Sequence, residues 1–424
     1  MSVISILSRL FFAAIFYFIP DLFLHSAVST AFRKNKRRAR RIYWIINILF
    51  FLFAACALLL NRISDPASIR LNLYFFGLFV SFLFTKLLVA LILIPEDFIR
   101  YPMMLVRWFG RKRKKDTTAL KEQHWISRRT FLARSALMAG ALPFGGFIYG
   151  MVKGRYAFDI HEQTIYFPDL PEAFDGFTIT QLSDIHIGSF DAGSRSHLRE
   201  MVQMTNDLQS DILFFTGDIV NSRADEMEGW FDILKELRAP MGKLSILGNH
   251  DYGDYVQWKS DAEKAENLQH VKEIHPRIGF QLLLNEHILL ERNGQQLYII
   301  GVENWGKGDF PKLADMPKAT AGIPENAFRI LLSHDPSHWE AKVLQENDPP
   351  QLMLSGHTHG FQMGIETPAF RFSPAQFVYD QWAGLYTKDD RTIYVNRGIG
   401  TVGYPGRLGI WPEITKITLR KQLA

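Results

Sequence analysis

Five short motifs in the second half of the chain carry side chains that commonly bind metal ions. They are Asp184-Ile185-His186, Gly217-Asp218, Gly248-Asn249-His250-Asp251, Ser333-His334-Asp335 and Gly356-His357-Thr358-His359. Carboxylate, imidazole and amide oxygen suit divalent Mn, Fe, Zn or Co, and the motifs contain no cysteine, which argues against a thiolate site. Two such ions about 3.5–4 Å apart can bind and polarise a phosphoryl group. The motifs therefore predict a site for two metal ions that share one bridging ligand.

Several of these motifs directly follow an apolar run that is typical of a buried strand. The runs are Phe177–Leu182, Ile212–Phe215, Leu244–Leu247, Ile330–Leu332 and Gln351–Leu354. Helical spacing in Ser196–Leu208 and Asp225–Leu237 separates the first strands, whereas Gln281–Glu291 and Leu297–Val302 are typical of strands in a second sheet. Because loops at the carboxyl ends of strands converge on one rim of an open sheet, we expect the ligands to meet there.

The order of the motifs resembles that of the calcineurin-like metallophosphoesterase superfamily, from about Phe177 to Leu419. The resemblance implies an α/β (α+β) four-layer domain with two packed β-sheets flanked by helices, and a dinuclear metal-dependent phosphoric ester hydrolase. His250 would be the acid that protonates the leaving group, with Asp251 as a second catalytic residue. The metal ligands that the resemblance implies are Asp184, His186 and His359 for one metal, Asn249, His334 and His357 for the other, and Asp218 between them.

The sequence around the motifs bears on the substrate. Asn221 fills a position where the family often has Asp or Asn, but Ser222 stands where relatives acting on phosphoproteins have Arg, which argues against a protein phosphatase. Phe361, where many bacterial relatives have Gly, is either a packing residue or a wall of the substrate pocket. The tail that contains Arg397 and Arg407 resembles a membrane-associated bacterial subgroup. We expect Asn221 and both arginines to bind substrate, although a structural role fits the arginines equally well.

A helix rich in Lys and Glu, Trp258–Ile274, is predicted after the third motif and would cover the rim of the site. Its aromatic residue Trp258 and the nearby Tyr255 fit ordinary helix packing, or alternatively stacking on a substrate.

Charge divides the chain into two parts. Residues 1–130 contain 21 Lys and Arg against 6 Asp and Glu, a net charge of +15, whereas the remainder has a net charge of −10. A nucleic-acid partner is not expected, because a basic footprint should lie on the part that carries the chemistry. The single cysteine, Cys56, can form no internal disulfide.

The N-terminal part is predicted to cross a membrane three times, because each of three apolar runs is long enough for a span, which needs roughly 20 helical residues. The basic clusters Arg33–Arg41 and Arg111–Lys115 flank these runs and should face the cytoplasm. Lys86, inside the third run, would either face neighbouring helices or extend its charge towards water. The predicted spans are Val3–Ala27, Ile42–Leu60 and Leu71–Ile94.

The segment Ser127-Arg128-Arg129-Thr130-Phe131-Leu132 resembles a twin-arginine export motif, and the apolar stretch Ser135–Met151 follows it as a fourth span. The alternative is that the arginines only add topological charge and the stretch is an interfacial helix. We expect a multi-pass protein of the bacterial cytoplasmic membrane whose catalytic domain is exported by the twin-arginine machinery. The predicted domains are 1–110 (three spans), 111–154 (basic linker, motif and fourth membrane segment) and 155–424 (metallophosphoesterase domain).

Membrane anchoring favours membrane lipids as partners and a phosphodiester or a lipid- or envelope-linked phosphoester as substrate. One alternative is an enzyme like the UDP-2,3-diacylglucosamine pyrophosphatase of lipid A synthesis, whose substrate lies on the cytoplasmic side. An alternative of another class is a non-catalytic envelope-binding module. The complete ligand set argues against that module, since a decayed site should have lost at least one ligand.

Overall fold

A computed structural model describes residues 14–60, 66–111, 122–367 and 369–422. The chain forms two compact units, Met1–Gly150 and Met151–Ala424.

Long helices make up the described part of the first unit. They are α1 (Asp21–Ala31), α2 (Lys36–Leu60), α3 (Pro66–Arg111) and α4 (Glu122–Val152). Four segments are long and apolar enough to cross a membrane: Ala14–Ala31, Arg33–Cys56, Leu71–Arg100 and Thr130–Val152. This agrees with the number of predicted membrane segments, although residues 3–13 of the first predicted run and residues 112–115 of the second basic cluster lie outside the described residues.

The placement of the first basic cluster between two predicted spans suggested a loop. The structure instead shows a short turn that leads directly into a helix. A single 3-10 turn covers Arg33–Asn35, and α2 then begins at Lys36 and includes the remaining basic residues. Lys and Arg are good helix formers, so the cluster extends the membrane helix instead of interrupting it.

Lys86 lies inside the first unit, with 1 % of its surface exposed. Its Nζ is 2.7 Å from Asp21 Oδ2 and 2.7 Å from Asn47 Oδ1. It also donates to the backbone oxygen of Tyr17, at 2.7 Å. A charge in an apolar environment requires such partners. Lys86 therefore links α1, α2 and α3, and its ammonium group does not extend towards water.

The second unit contains two six-stranded sheets. In spatial order the first consists of β1 (Asp159–Phe167), β14 (Glu413–Lys421), β2 (Thr178–Leu182), β3 (Ile212–Phe215), β4 (Lys243–Ser245) and β5 (Gln281–Leu282). The second consists of β12 (Gly384–Lys388), β13 (Arg391–Val395), β9 (Leu352–Ser355), β8 (Arg329–Leu332), β7 (Gln295–Gly301) and β6 (Glu286–Arg292). A separate hairpin pairs β10 (Ile365–Thr367) with β11 (Phe370–Phe372).

Apolar side chains between the two sheets form a central core, which includes Ile179, Phe214, Ile330 and Leu354. Two further cores lie on the outer faces of the sheets, where helices cover them. The helices are α5 (Arg195–Asp207), α6 (Phe231–Leu234), α7 (Asp261–Arg277), α8 (Met316–Thr320) and α9 (Ser337–Ala341). This arrangement confirms the predicted fold of two packed sheets flanked by helices.

Two predicted elements are interrupted where the backbone adopts a positive φ. The helix predicted over residues 225–237 becomes a 3-10 turn, Ala224–Met227, followed by the short α6, and Gly229 has a φ of +82° between them. The strand predicted over residues 281–291 divides at Asn285, where φ is 58°. Its two halves, β5 and β6, belong to different sheets.

The helix predicted over residues 258–274 begins later. Ser260 caps α7, because its side chain accepts a hydrogen bond of 3.2 Å from the backbone N–H of Glu263. Trp258 therefore precedes the helix, and its indole Nε1 donates to the backbone oxygen of Gly253, at 2.7 Å.

Candidate metal centre

The loops after β2, β3, β4, β8 and β9 contain the seven residues predicted to bind metal. Their backbone is unusual, because non-glycine residues rarely adopt a positive φ. Five of the seven do so: Asp184 (51°), His186 (44°), Asp218 (60°), His357 (72°) and His359 (51°). Such conformations cost free energy and cluster at functional sites, so the surrounding fold must hold these loops in place.

Asp184, His186 and His359 form one buried group whose ligand atoms all lie within 4.8 Å of one another. His359 Nε2 is 3.2 Å from Asp184 Oδ1 and 3.1 Å from His186 Nε2. These are the three residues predicted for the first metal.

Asn249, His334 and His357 form the second group. Asn249 Oδ1 is 3.0 Å from His334 Nε2 and 2.7 Å from His357 Nδ1. The two imidazole nitrogens are 3.3 Å apart. Three potential ligand atoms thus face one another, as predicted for the second metal.

Asp218 lies between the two groups. Its Oδ2 is 3.5 Å from His186 Nε2 on one side and 3.2 Å from His334 Nε2 on the other. Its Oδ1 accepts a hydrogen bond of 2.8 Å from the backbone N–H of His250. This position suits the single ligand that two ions would share.

The protonation pattern fits metal binding. The Nδ1 of His334 donates to the backbone oxygen of Thr216, at 2.7 Å, which leaves Nε2 as the coordinating atom. Burial lowers the pKa of His334, but the Asp218 carboxylate outweighs it and raises the pKa to about 10. Burial also opposes ionisation of Asp184, yet His359 keeps its pKa below the usual range. Metal binding should therefore displace a proton from His334.

His250 lies beside the shared carboxylate. Its Nδ1 is 2.7 Å from the backbone oxygen of Asn221, so Nδ1 donates there and Nε2 is left to exchange a proton. Its ring meets His186 edge to face, with 4.7 Å between centroids. Together with His186 and Asp218, it forms a third group that could hold a metal ion, which makes ligation the competing role for His250.

Asn221 contacts the site through its backbone. Its carbonyl orients the His250 ring, and its N–H donates to Glu226 Oε2, at 2.6 Å. Burial raises the pKa of Glu226 to about 7. The side-chain oxygen of Asn221 is buried and has no hydrogen-bond partner among the residues that the structure describes.

Asp251, predicted as a second catalytic residue, directs its side chain into the backbone of two ligand loops. Its buried carboxylate accepts four backbone N–H bonds, from Gly248 (2.8 Å), Asp218 (2.9 Å), Ile219 (3.0 Å) and Val220 (3.3 Å). These bonds join the loop that carries Asp218 to the loop that carries Asn249 and His250. Asp251 therefore holds two ligand loops together, and the His250 ring is oriented by a carbonyl instead.

Replacing Asp251 with alanine should lower the apparent unfolding temperature of the full chain by roughly 10 °C, because four buried N–H groups lose their acceptor. Thermal unfolding in detergent measures this. Asp254→Ala, which removes only an exposed ion pair with Lys264, should change it by less than about 2 °C. Equal stability of the two variants would contradict the role given to Asp251.

The two arginines predicted to bind substrate are buried and already paired. Arg397 forms ion pairs with Glu413 and Glu366, the latter at 2.5 Å. Arg407 donates to the backbone oxygens of Gly400, at 2.7 Å, and Arg397, at 2.8 Å, and its guanidinium is 3.2 Å from His359 Nδ1. These contacts favour the structural alternative for both arginines, and the Arg407 guanidinium lies behind His359 of the first ligand group.

Two of the motif glycines lie so close to neighbouring side chains that a larger residue would not fit. A Cβ on Gly248 would lie 2.2 Å from Asp218 Oδ1, and one on Gly356 would lie 1.9 Å from Ser183 Oγ and 2.2 Å from Asp184 Oδ2. Any larger residue would displace a ligand carboxylate.

Aromatic side chains border His250 and the second ligand group. Tyr255 stacks on His250 with 4.2 Å between centroids, and Tyr379 and Phe310 meet the His357 ring edge to face at 5.5 and 5.0 Å. Burial raises the pKa of Tyr255 to about 12. Phe361 is 42 % exposed, so its side chain is only partly packed.

The fold and the clustered His and Asp side chains define a metallophosphoesterase, and comparison with known proteins agrees. The family model "Calcineurin-like phosphoesterase" matches residues 177–361. A second model, "Probable Calcineurin-like phosphoesterase, transmembrane domain", matches residues 6–155. The uncharacterized metallophosphoesterase YkuE of Bacillus subtilis is 32% identical over 304 residues, which cover 70% of this chain and 98% of YkuE. The chain therefore belongs to the calcineurin-like metallophosphoesterase family, whose members use divalent metals.

Two further relatives have named activities. The phosphodiesterase YaeI of Escherichia coli is 25% identical over 69% of this chain and 99% of its own length. The UDP-2,3-diacylglucosamine pyrophosphatase LpxG of Chlamydia trachomatis is 28% identical over 55% of this chain and 81% of its own length. The four candidate spans and the match to the transmembrane-domain model indicate a membrane protein, and the family is one of phosphoester hydrolases.

Proposed function

We propose that this protein is a membrane-anchored hydrolase of phosphodiesters or of lipid- or envelope-linked phosphoesters that depends on two divalent metal ions. The observation that carries the proposal is the position of Asp218, within 3.5 Å of one ligand group and 3.2 Å of the other. Asp184, His186 and His359 would hold one ion, and Asn249, His334 and His357 the second. Bound ions would supply polarisation of the phosphoryl group and activation of water.

His250 acts as the general acid in this proposal. The Asn221 carbonyl fixes the ring through Nδ1, which directs Nε2 towards the space beside the ligand groups. A protonated Nε2 there can donate its proton to the departing oxygen of the ester.

The membrane anchor and the relatives support the proposed substrate class. A membrane-embedded chain meets lipid-linked phosphoesters at high local concentration. The relatives include one named as a phosphodiesterase and one named as a pyrophosphatase of an acylated nucleotide sugar. The pyrophosphatase activity is the alternative function, and a non-catalytic envelope-binding module is the alternative of another class.

Hydrolysis assays on the purified full chain, with Mn added, test the proposal. We expect turnover of model phosphodiesters or phospholipid headgroups to exceed that of phosphomonoesters. Turnover confined to UDP-2,3-diacylglucosamine would favour the pyrophosphatase. No turnover of any phosphoester by a metal-loaded chain would favour the binding module.

The catalytic unit is proposed to lie outside the cytoplasm of a bacterium, with 111–154 as linker and fourth membrane segment and 155–424 as the catalytic domain. Support comes from the basic residues between the predicted spans and from the resemblance of Ser127–Leu132 to a twin-arginine motif. The backbone of that motif lies within α4, whose apolar part from Thr130 is long enough to cross a membrane.

A reporter that is active only outside the cytoplasm, fused after Ala424, should be active. Changing Arg128 and Arg129 to Lys keeps the charge and removes only the motif, so the reporter should lose its activity while the three upstream spans still insert. An active reporter in the double variant would show that the arginines act as charge alone. A reporter that is inactive in the unmodified protein would place the enzyme in the cytoplasm.

A further inference from the structure

Two tyrosine hydroxyls contact the ligands predicted for the second metal. Asn249 Nδ2 donates to the hydroxyl oxygen of Tyr255, at 2.7 Å. His357 Nε2 is 2.8 Å from the hydroxyl oxygen of Tyr379. The opposite atoms of the same two side chains, Asn249 Oδ1 and His357 Nδ1, are 2.7 Å apart in the ligand group.

The direction of both hydrogen bonds follows from the chemistry of the ligands. An amide nitrogen can only donate, and an imidazole whose lone pair is on Nδ1 carries its hydrogen on Nε2. Both tyrosine oxygens are therefore acceptors in these bonds, which leaves each hydroxyl hydrogen unused. Within the described part of the chain, no hydrogen bond from either hydroxyl to an acceptor is found other than these contacts.

Both tyrosines are reachable from solution. Tyr255 is 51 % exposed although one face of its ring covers His250. Tyr379 borders a cavity of about 160 Å³, together with Lys307, Ser337 and Val378. The two arginines predicted to bind phosphate oxygens are instead buried in bonds of their own.

We propose that Tyr255 and Tyr379 donate their hydroxyl hydrogens to the non-bridging oxygens of the substrate phosphoryl group. The inference rests on the proposed phosphoester substrate. The ligand side chains fix the two oxygens, so the hydrogens rotate towards an anion above the second ligand group. Two neutral donors thus take the place that Arg397 and Arg407 were predicted to fill.

A purely structural role would have a different signature. If the hydroxyls only hold Asn249 and His357, removing them should weaken metal binding. If they bind the phosphoryl group, removing them should weaken anion binding at full metal occupancy. Phenylalanine keeps the ring, so it separates these two effects.

The test uses the Mn-loaded full chain and inorganic phosphate as the probe, with affinity measured by titration calorimetry and Mn content by elemental analysis. Tyr255→Phe and Tyr379→Phe should each weaken phosphate binding about tenfold, and the double variant about 100-fold, with Mn content unchanged. Tyr298→Phe is the control, because the Tyr298 hydroxyl contacts only Gln296 among the described residues, at 3.2 Å. Its phosphate affinity should match that of the wild type.

Unchanged phosphate affinity in the double variant would overturn the inference, as would a loss that parallels a loss of Mn. No phosphate binding by the Mn-loaded wild type would also overturn it. Failure of the proposed function looks different, because the wild type would then bind Mn and phosphate but hydrolyse no ester.

Discussion

Replacing Asp218 with alanine is expected to remove both metal ions and to reduce hydrolysis roughly 10⁴-fold or more. The reason is its position, since its Oδ2 lies within reach of His186 and of His334. Without this carboxylate, neither ion keeps its shared ligand. Elemental analysis of the purified variant, combined with a phosphodiester assay, measures both effects.

Asp225→Ala is the matched control, because it removes an exposed carboxylate that pairs only with Arg223 among the described residues. Its metal content and turnover should equal those of the wild type. An Asp218→Ala chain that retains one full equivalent of metal would show that the ions do not share this residue.

Replacing His250 with alanine is expected to reduce turnover about 10²- to 10⁴-fold while both ions stay bound. The loss should depend on the leaving group. An alkoxide needs a proton as it departs, whereas nitrophenolate does not. The turnover of alkyl esters should therefore fall more than the turnover of nitrophenyl esters. Kinetic measurements on the two substrates test this difference.

His270→Ala, which changes an exposed histidine on α7, should leave both rates unchanged. The competing role for His250 is ligation, since it also forms a ligand group with His186 and Asp218. Metal loss in His250→Ala equal to that in Asp218→Ala would remove His250 from the acid role.

The amino-acid sequence is sufficient to predict which residues gather at the rim. Each motif follows a strand, and neighbouring parallel strands such as β2, β3 and β4 end at the same edge. Strand ends and motif order are both visible in the sequence, so Asp184, Asp218 and Asn249 can be grouped from residue type and position alone. The two-sheet fold follows from the same pattern.

The sequence could not show which way the remaining polar side chains turn. Asp251 follows His250 directly, yet its carboxylate points into the loop backbone. Arg397 and Arg407 have the chemistry of phosphate ligands. However, Arg397 forms an ion pair with Glu413, and Arg407 donates hydrogen bonds to backbone oxygens. These outcomes depend on contacts between segments far apart in the chain, which residue type and spacing do not encode.

Tyr379 is a different case, because no motif surrounds it. It reaches His357 only because the chain between them folds back through the β10–β11 hairpin. Tyr255 was predicted to pack on a helix or to stack on a substrate, and its ring stacks on His250.

Metal removal tests the central claim most directly. The purified full chain should contain two equivalents of divalent metal, lose phosphodiester hydrolysis on chelation, and regain it in proportion to added Mn until two equivalents are bound. Full hydrolysis by the chelated, metal-free chain would contradict the proposed two-metal phosphoesterase, as would saturation of activity at a single bound ion.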